Sequence, residues 1–368
     1  MAHEPTIAIY EEFAARYRER REAYEPERAV RFAGSLPAGG LRLDLGCGPG
    51  LYADLLGRPL IAGDAAMAMC VAARDAAPEV PVVRLDLEAL PVRSGALAGI
   101  WAWKCLQHVP AVRLPGALAD IHRALPVGGR LDAAVFRGEH GGVYEELRGD
   151  TDDFPGRLFT WWEPEPVAAL LEGGGFDVDD VAVTDRTITI SATRARTLPD
   201  VVGPGMRLLV CGLNPSLYSA DRGVGYARPG NRFWPAALAS GIATVDRDPW
   251  HALRNHRVGF TDLVKRATTG AAELTAAEYT TGLARVEALC ALLEPAAVAF
   301  CGLTGWRAAV GSSSAKAGWQ DRTVGSAPAY VLPNPSGLNA HTNVAKLADH
   351  LRRASLGPWT APSSAPTA

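Results

Sequence analysis

Apolar residues along this chain come in short runs separated by helix-length stretches of mixed polarity, and the pattern starts afresh near residue 207. Residues 8–33 mix Glu and Arg with apolar positions at helical spacing and predict an amphipathic lead-in helix. The runs LRLDLG (41–46), PLIAGD (59–64), VPVVRLD (80–86), ALAGIWAW (96–103) and GRLDAAVF (129–136) follow, and such alternation predicts a parallel sheet covered on both faces. FTWWEPEPVAALLEGGGFDVDDVAV (159–183) reads as a turn, a helix and an edge strand, and TITISATRA (187–195) as a closing strand. TLPDVVGPGM (197–206) is rich in Pro and Gly and has no period, so a linker is expected there. Strands are then predicted at 207–212, 295–302 and 327–333, with helices at 233–240, 277–293 and roughly 341–353. SLGPWTAPSSAPTA (355–368) is low in complexity and reads as a disordered tail. The expectation is α/β in two domains, 1–196 and 207–354, with no internal repeat between them.

Composition agrees with this picture and narrows it. Of 368 residues, 48% are hydrophobic and 21% charged, a balance that supports packed cores. No apolar run reaches the roughly 20 residues a membrane-spanning helix needs. The polar start MAHEPTIAIYEEFAARYRERR is unlike a signal peptide, so a cytoplasmic protein is expected. None of the six cysteines forms a C-x-x-C pair, which points to reduced, buried thiols and to no metal site. Three of them follow residue 200, too few for a four-cysteine iron–sulfur cluster. The net charge of −3 hides an asymmetry. Residues 1–199 carry 21 Lys and Arg against 29 Asp and Glu, and residues 200–368 carry 16 against 11. The basic second half is therefore the one expected to approach a polyanion.

Two constellations carry chemistry. In the first, LDLGCGPG (43–50) places Gly46, Gly48 and Gly50 where a buried strand turns towards a helix, so that backbone amides can approach a ligand. Position 51 is Leu, so the dinucleotide pattern G-x-G-x-x-G is not met. Asp64 ends the next strand, where a carboxylate can take both ribose hydroxyls. Asp86 ends the third, placed to accept from an adenine amine, and HRALPVGG (122–129) supplies a helix and a turn before the fifth. Each feature alone is an ordinary turn or strand cap; the four in order are not. The set resembles the class I S-adenosylmethionine-dependent methyltransferases over about residues 8–196. The resemblance implies that Gly46, Gly48, Gly50, Asp64, Asp86 and Leu87 bind S-adenosylmethionine, and that Asp44 steadies the glycine loop and the methionine end. It leaves the methyl acceptor open. WAWKCLQHVP (101–110) stands where an amino-methylating DNA enzyme carries Asp/Asn-Pro-Pro-Tyr/Phe, and the chain has no Pro-Cys dipeptide of the cytosine carbon-5 type. Cys105 is read as structural, and His108 as either a base near the methyl group or a packing group at a helix start.

In the second constellation, GLNPSLYSADRGVGYARPGNRFW (212–234) follows one core strand and PNPSGLNAH (333–341) another. Asn-Pro forces a sharp turn at each strand's carboxyl end, where open α/β sheets bind ligands. The stretch resembles the mismatch-specific uracil/thymine DNA glycosylases. Their motifs Gly-Ile-Asn-Pro-Gly and Asn-Pro-Ser-Gly-Leu correspond to GLNPS and NPSGL here, and RPGNRFW (228–234) and GFTDLVKRAT (259–268) also look like family segments. The resemblance implies a uracil-DNA-glycosylase-like parallel α/β sheet and a monofunctional enzyme that needs no cofactor and acts on double-stranded DNA with a mismatched or damaged base. Asn214 would hold the attacking water. Backbone amides near Ser216 and Tyr226 would receive the leaving base, with the Tyr226 ring stacked on it. Leu338 would wedge into the gap left by the flipped nucleotide, Gly337 would let the loop approach the bases, and Asn334 and Ser336 would meet phosphate or sugar. Ser216 replaces a family glycine, Asn339–Ala340 stand where some relatives place an Arg, and Asp262 where some carry a Lys, so base preference is open. Two other assignments compete: methylation as the main activity with a DNA-docking second domain, or a first domain that senses or scaffolds without transferring a methyl group.

Overall fold

In the computed structural model the described residues are 3–337 and 342–358. The chain divides into two units, Met1–Ala195 and Arg196–Ala368. The first opens with α1 (Glu4–Arg20) and α2 (Pro26–Ser35) in place of one lead-in helix. Pro26 disfavours helical geometry at the residue before it, and Glu25 accordingly takes a left-handed φ of 51°. The sheet follows: β1 (Arg42–Leu45), β2 (Leu60–Asp64), α3 (Met67–Ala76), β3 (Val82–Arg84), β4 (Gly99–Trp103), α4 (Leu114–Ala124) and β5 (Arg130–Phe136). A hairpin, β6 (Tyr144–Leu147) and β7 (Leu158–Trp161), then precedes α5 (Pro164–Gly173), β8 (Phe176–Val183) and β9 (Thr187–Arg194). The strand order is β3-β2-β1-β4-β5-β9-β8, parallel through β5, with β9 and β8 antiparallel. All four residues of β1 and all five of β4 are buried, as a sheet covered on both faces requires. VYEELRGD has the composition of a polar loop, yet it forms a hairpin outside the main sheet, joined to the end of β5 by a bridge between Arg137 and Trp162.

The second unit runs β10 (Leu208–Gly212), α6 (Leu217–Arg222), α7 (Phe233–Ser240), α8 (Pro249–His256), β11 (Val258–Asp262), α9 (Ala276–Leu293), β12 (Val298–Cys301), α10 (Leu303–Val310), β13 (Gly318–Val324), β14 (Ala327–Leu332) and α11 (Val344–Leu356). Its order is β11-β10-β12-β14-β13, all parallel except β13. Leu208, Val210, Phe233, Trp234 and Leu351 belong to one core cluster.

Two expectations are corrected. Residues 197–206 are not a free linker: Leu198, Val201, Val202 and Met206 are buried and Val201 bridges to Phe260, because these apolar side chains cover the second sheet's edge. The expected tail at 355 instead begins as helix, since α11 continues to Leu356; residues 359–368 lie outside the described ones. Both sheets reverse direction of growth beside their first strand: β1 has β2 on one side and β4 on the other, and β10 has β11 and β12. Loops leaving such a switch point face an open crevice.

Candidate functional site

The loop after β1 makes the first site. Gly46 and Gly48 take φ of +70° and +53°, which side chains disfavour. A Cβ on Gly46 would lie 2.4 Å from Cys105 Cβ, whereas one on Gly48 would have only Tyr17 within 4 Å, at 3.9 Å. Close packing therefore demands the first glycine, and an open face surrounds the second. Gly46 and Cys47 donate their N–H groups to the Gly63 carbonyl, and Gly48 N–H donates to Asp64 Oδ2 at 2.9 Å. Ala66 N–H donates to Asp64 Oδ1, also at 2.9 Å. Burial raises the pKa of Asp64, and these backbone donors oppose it. Asp44 is buried with no partner for Oδ2, and burial together with the charge of Asp64 pushes it up to about 8.

A cavity of about 750 Å3 opens here. Gly46, Gly48, Asp64 and Leu87 line it, as the sequence leads one to expect. Gly50, Asp44 and Asp86 do not. Gly50 packs on Ala73, Asp44 is buried with no partner for Oδ2 among the described residues, and Asp86 faces a more open adjoining depression while its Oδ1 accepts from Glu88 N–H at 2.9 Å. The expected role of Asp44 in bracing the glycine loop falls instead to Asp64. His108 lines the cavity with both ring nitrogens engaged. Its Nδ1 donates to the Leu158 carbonyl at 2.8 Å, its Nε2 accepts from Tyr10 Oη at 2.9 Å, and burial lowers its pKa to about 4. Helix α1 and the β6–β7 hairpin cover the cavity and are fastened together: Leu158 N–H donates to Thr6 Oγ1, Arg157 to Tyr10 Oη, and Arg21 to Asp153. Neither the hairpin nor its wall residues Arg148, Phe159 and Trp161 were signalled in the sequence as site residues.

In the second unit the loop after β10 is tied to the loop after β11. Thr268 N–H donates to the Pro215 carbonyl, and Leu217 N–H to the Thr268 carbonyl. Asn214 Nδ2 donates to the carbonyl of Arg266 at 3.0 Å and to Thr268 Oγ1 at 2.8 Å. A carbonyl can only accept, so the NH2 group must point that way, and Oδ1 is the end left to accept. Ser216 caps α6, its Oγ accepting from Ser219 N–H. Tyr226 stacks one face on Phe233 at 4.1 Å, and its hydroxyl donates to Cys301 Sγ. Asp262 and the Tyr226 hydroxyl both stand over Gly212: a Cβ there would meet Asp262 Oδ1 at 2.1 Å and Tyr226 Oη at 3.1 Å. Burial pushes Asp262 up to about 6 against the pull of Lys265.

The second Asn-Pro loop joins this crevice through Arg232. Arg232 N–H donates to the Pro335 carbonyl, and its guanidinium donates to the carbonyls of Ser336 and Gly337, each at 3.1 Å. Gly337 passes so close to Gly230 that a Cβ would stand 2.6 Å from its oxygen. Asn334 is exposed and turns back, its Oδ1 accepting from Ser336 N–H. Leu338, the expected wedge, lies outside the described residues, as do Asn339 and Ala340. Sequence reasoning missed the buried network beneath. Asp200 accepts from Lys265 Nζ at 2.9 Å, Arg285 Nη1 at 2.8 Å and Thr261 Oγ1 at 2.6 Å, anchoring the strand and loop that hold Asn214. Nothing in the Pro/Gly-rich stretch around Asp200 signals this.

Comparison with known proteins assigns the two regions. Residues 199–354 match the family model of the uracil DNA glycosylase superfamily, and residues 43–129 that of a methyltransferase domain. Among solved structures, a SAM-dependent methyltransferase from Methanosarcina mazei is 14% identical, with 48% of this chain and 99% of that chain covered and a TM-score of 0.41. A Burkholderia thailandensis 1,6-didemethyltoxoflavin-N1-methyltransferase, solved with 1,6-didemethyltoxoflavin and S-adenosylhomocysteine, is 21% identical over 53% and 91% of the two chains, at a TM-score of 0.42. An S-adenosylmethionine-dependent methyltransferase from Mesorhizobium loti is 19% identical over 45% and 96%, at 0.37.

Proposed function

We propose that this chain, an enzyme in which a methyltransferase domain precedes a uracil DNA glycosylase superfamily domain, excises uracil from mismatched duplex DNA with its second unit and binds S-adenosylmethionine with its first. The observation that carries the glycosylase reading is the fixed amide of Asn214, with its donor side bound by Arg266 and Thr268, so that its oxygen is the end turned to accept. In the reaction the bond between the base and C1′ breaks, the base keeps the electron pair and the sugar becomes oxocarbenium-like. A water held at Asn214 Oδ1 then adds to C1′ and gives its proton to solvent. A neutral amide activates water weakly, so slow turnover is expected. The exposed side of Tyr226 is available to stack on the extruded base, a contact worth roughly 1–3 kcal/mol, with the backbone near Ser216 and Tyr226 facing its oxygens. The clasped loop of Asn334, Ser336 and Gly337 leads to Leu338 for entry into the duplex, where a mismatched base is the cheaper one to extrude. An intact, oriented Asn214 favours this over a docking module, which has no use for it.

S-adenosylmethionine supplies an electrophilic methyl group, and the residues around Gly48 fit such a ligand. The open face of Gly48 borders the cavity, the Asp64 oxygens retain lone pairs for ribose hydroxyls, and Leu87 supplies an apolar wall for adenine. The deciding experiment incubates the purified protein with duplexes containing uracil, ethenocytosine or thymine opposite guanine, with and without S-adenosylmethionine, in that expected order of cleavage. Asn214→Ala should lower uracil release by about a hundredfold or more while duplex binding persists. Undiminished release from that variant would overturn the mechanism.

A further inference from the structure

The cavity of the first unit extends past the glycine loop into a chamber whose chemistry differs from that around Gly48. One wall is aromatic: Phe136 stacks on Phe159 at 5.2 Å and 11°, and Trp161 lies 5.7 Å from Phe136. Most cations around it are already paired. Arg21 binds Asp153, and Arg148 and Arg157 both bind Asp152. Lys104 is not. It follows β4 with a left-handed φ of 55°, a conformation unfavourable for a non-glycine residue and retained where surroundings enforce it. Its Nζ stands 3.7 Å over the ring of Tyr24 and 5.5 Å from that of Phe136, and among the described residues it meets no carboxylate and no hydrogen-bond acceptor. Arg186, exposed at the rim, adds to the positive potential, and Glu25 offsets it in part. On the same lining, the indole N–H of Trp103 and Gln107 Oε1 are buried without partners.

The roof decides the size of what enters. With α1 and the hairpin fastened across it, a cavity of about 750 Å3 suits small molecules, whose sites span roughly 300–1,000 Å3, rather than a duplex or a protein surface. The excess of acidic residues in this half also disfavours nucleic acid. Resting on the methyltransferase reading of this unit, we propose that the chamber binds a planar aromatic anion of small-molecule size beside the cofactor, its ring against Phe136, Phe159 and Trp161 and its negative group at Lys104. A half-buried ammonium lacking acceptors gains more from an anion than a solvated surface lysine does, because the surrounding dielectric is lower.

The test is calorimetric titration of the full-length protein, saturated with S-adenosylhomocysteine, using benzoate, 4-hydroxybenzoate, 1-naphthoate and indole-3-carboxylate, each beside its uncharged carboxamide. At least one acid should bind about tenfold or more tightly than its amide. Lys104→Met should erase that preference and Lys104→Arg keep it, with S-adenosylhomocysteine affinity and melting temperature unchanged in both. Acids and amides binding alike, no acid binding below a millimolar, or a preference that survives Lys104→Met overturns the proposal while leaving the methyltransferase reading standing. Failure of S-adenosylhomocysteine itself to bind removes that reading, and this proposal with it.

Discussion

Both units place a candidate site after the first strand of a parallel sheet, beside the point where strand order reverses, yet they prepare it in opposite ways. In the first, polar groups on the cavity lining are left short of partners among the described residues: Gln107 Oε1 has no donor, and the Trp103 indole N–H and Lys104 have no acceptor. In the second, the donors of the Asn214 amide are all engaged and the loop that holds it rests on the ion pairs of Asp200. The first arrangement suits a ligand that brings its own ammonium, hydroxyl and carboxylate groups to complete the network. The second suits a reaction whose remaining participant is a water that must be held in one place. Unsatisfied polarity is costly to keep and is relieved by binding; a saturated network is costly to disturb and keeps its geometry when empty.

The largest expected effect disturbs the saturated side. Asp200→Ala would strand Lys265 and Arg285, both buried, at a cost of about 3–5 kcal/mol. In denaturant titrations the unfolding of the second unit should shift and that of the first should not; a common shift would show the two units unfolding as one. The next effect separates packing from binding within the glycine loop. Gly46→Ala combines an unfavourable φ with overlap against Cys105 and should lose about 2–4 kcal/mol of stability. Gly48→Ala should lose only about 1–2 kcal/mol but weaken S-adenosylhomocysteine binding more than its neighbour does. Equal affinity losses at the two positions would count against a ligand at Gly48.

A pH-dependent effect concerns Asp262, whose pKa of about 6 in the folded protein stands above the ordinary 3.8. Between those values the native protein keeps a proton that the unfolded chain has released, so stability declines as pH rises from about 4 to 6 and is not regained above it. Asp262→Asn removes that decline. Its advantage over the wild type should open across this window and level off above pH 6 in urea titrations. A difference independent of pH would mean that the carboxylate is well solvated.

Much of this was legible in the sequence because it is local. Glycines at a strand-to-helix turn and two Asn-Pro turns after apolar runs declare themselves within a few residues, and the strands of the first sheet and three of the second are continuous enough to find, whereas β11 and β13 are too short of apolar residues to stand out. What escaped depends on distance. Asp200 sits in a Pro/Gly-rich stretch and acquires meaning only from Lys265 and Arg285, 65 and 85 residues away. Lys104 is one charge after a strand in the sequence, and its setting comes from Tyr24 and Phe136, 80 residues before it and 32 after. The β6–β7 hairpin has no apolar alternation to announce it, since Glu145, Glu146 and Leu147 are exposed. Asp44 and Asp86 were assigned by position along the strand, and position alone does not say which way a side chain faces.

His3, the cap of α1, is part of the lining of the first unit's cavity, whereas the last described residues belong to the second unit. A fusion partner at the amino end and one at the carboxyl end are therefore not interchangeable for this protein. The former should slow entry of small molecules to that cavity and leave the second unit as it was.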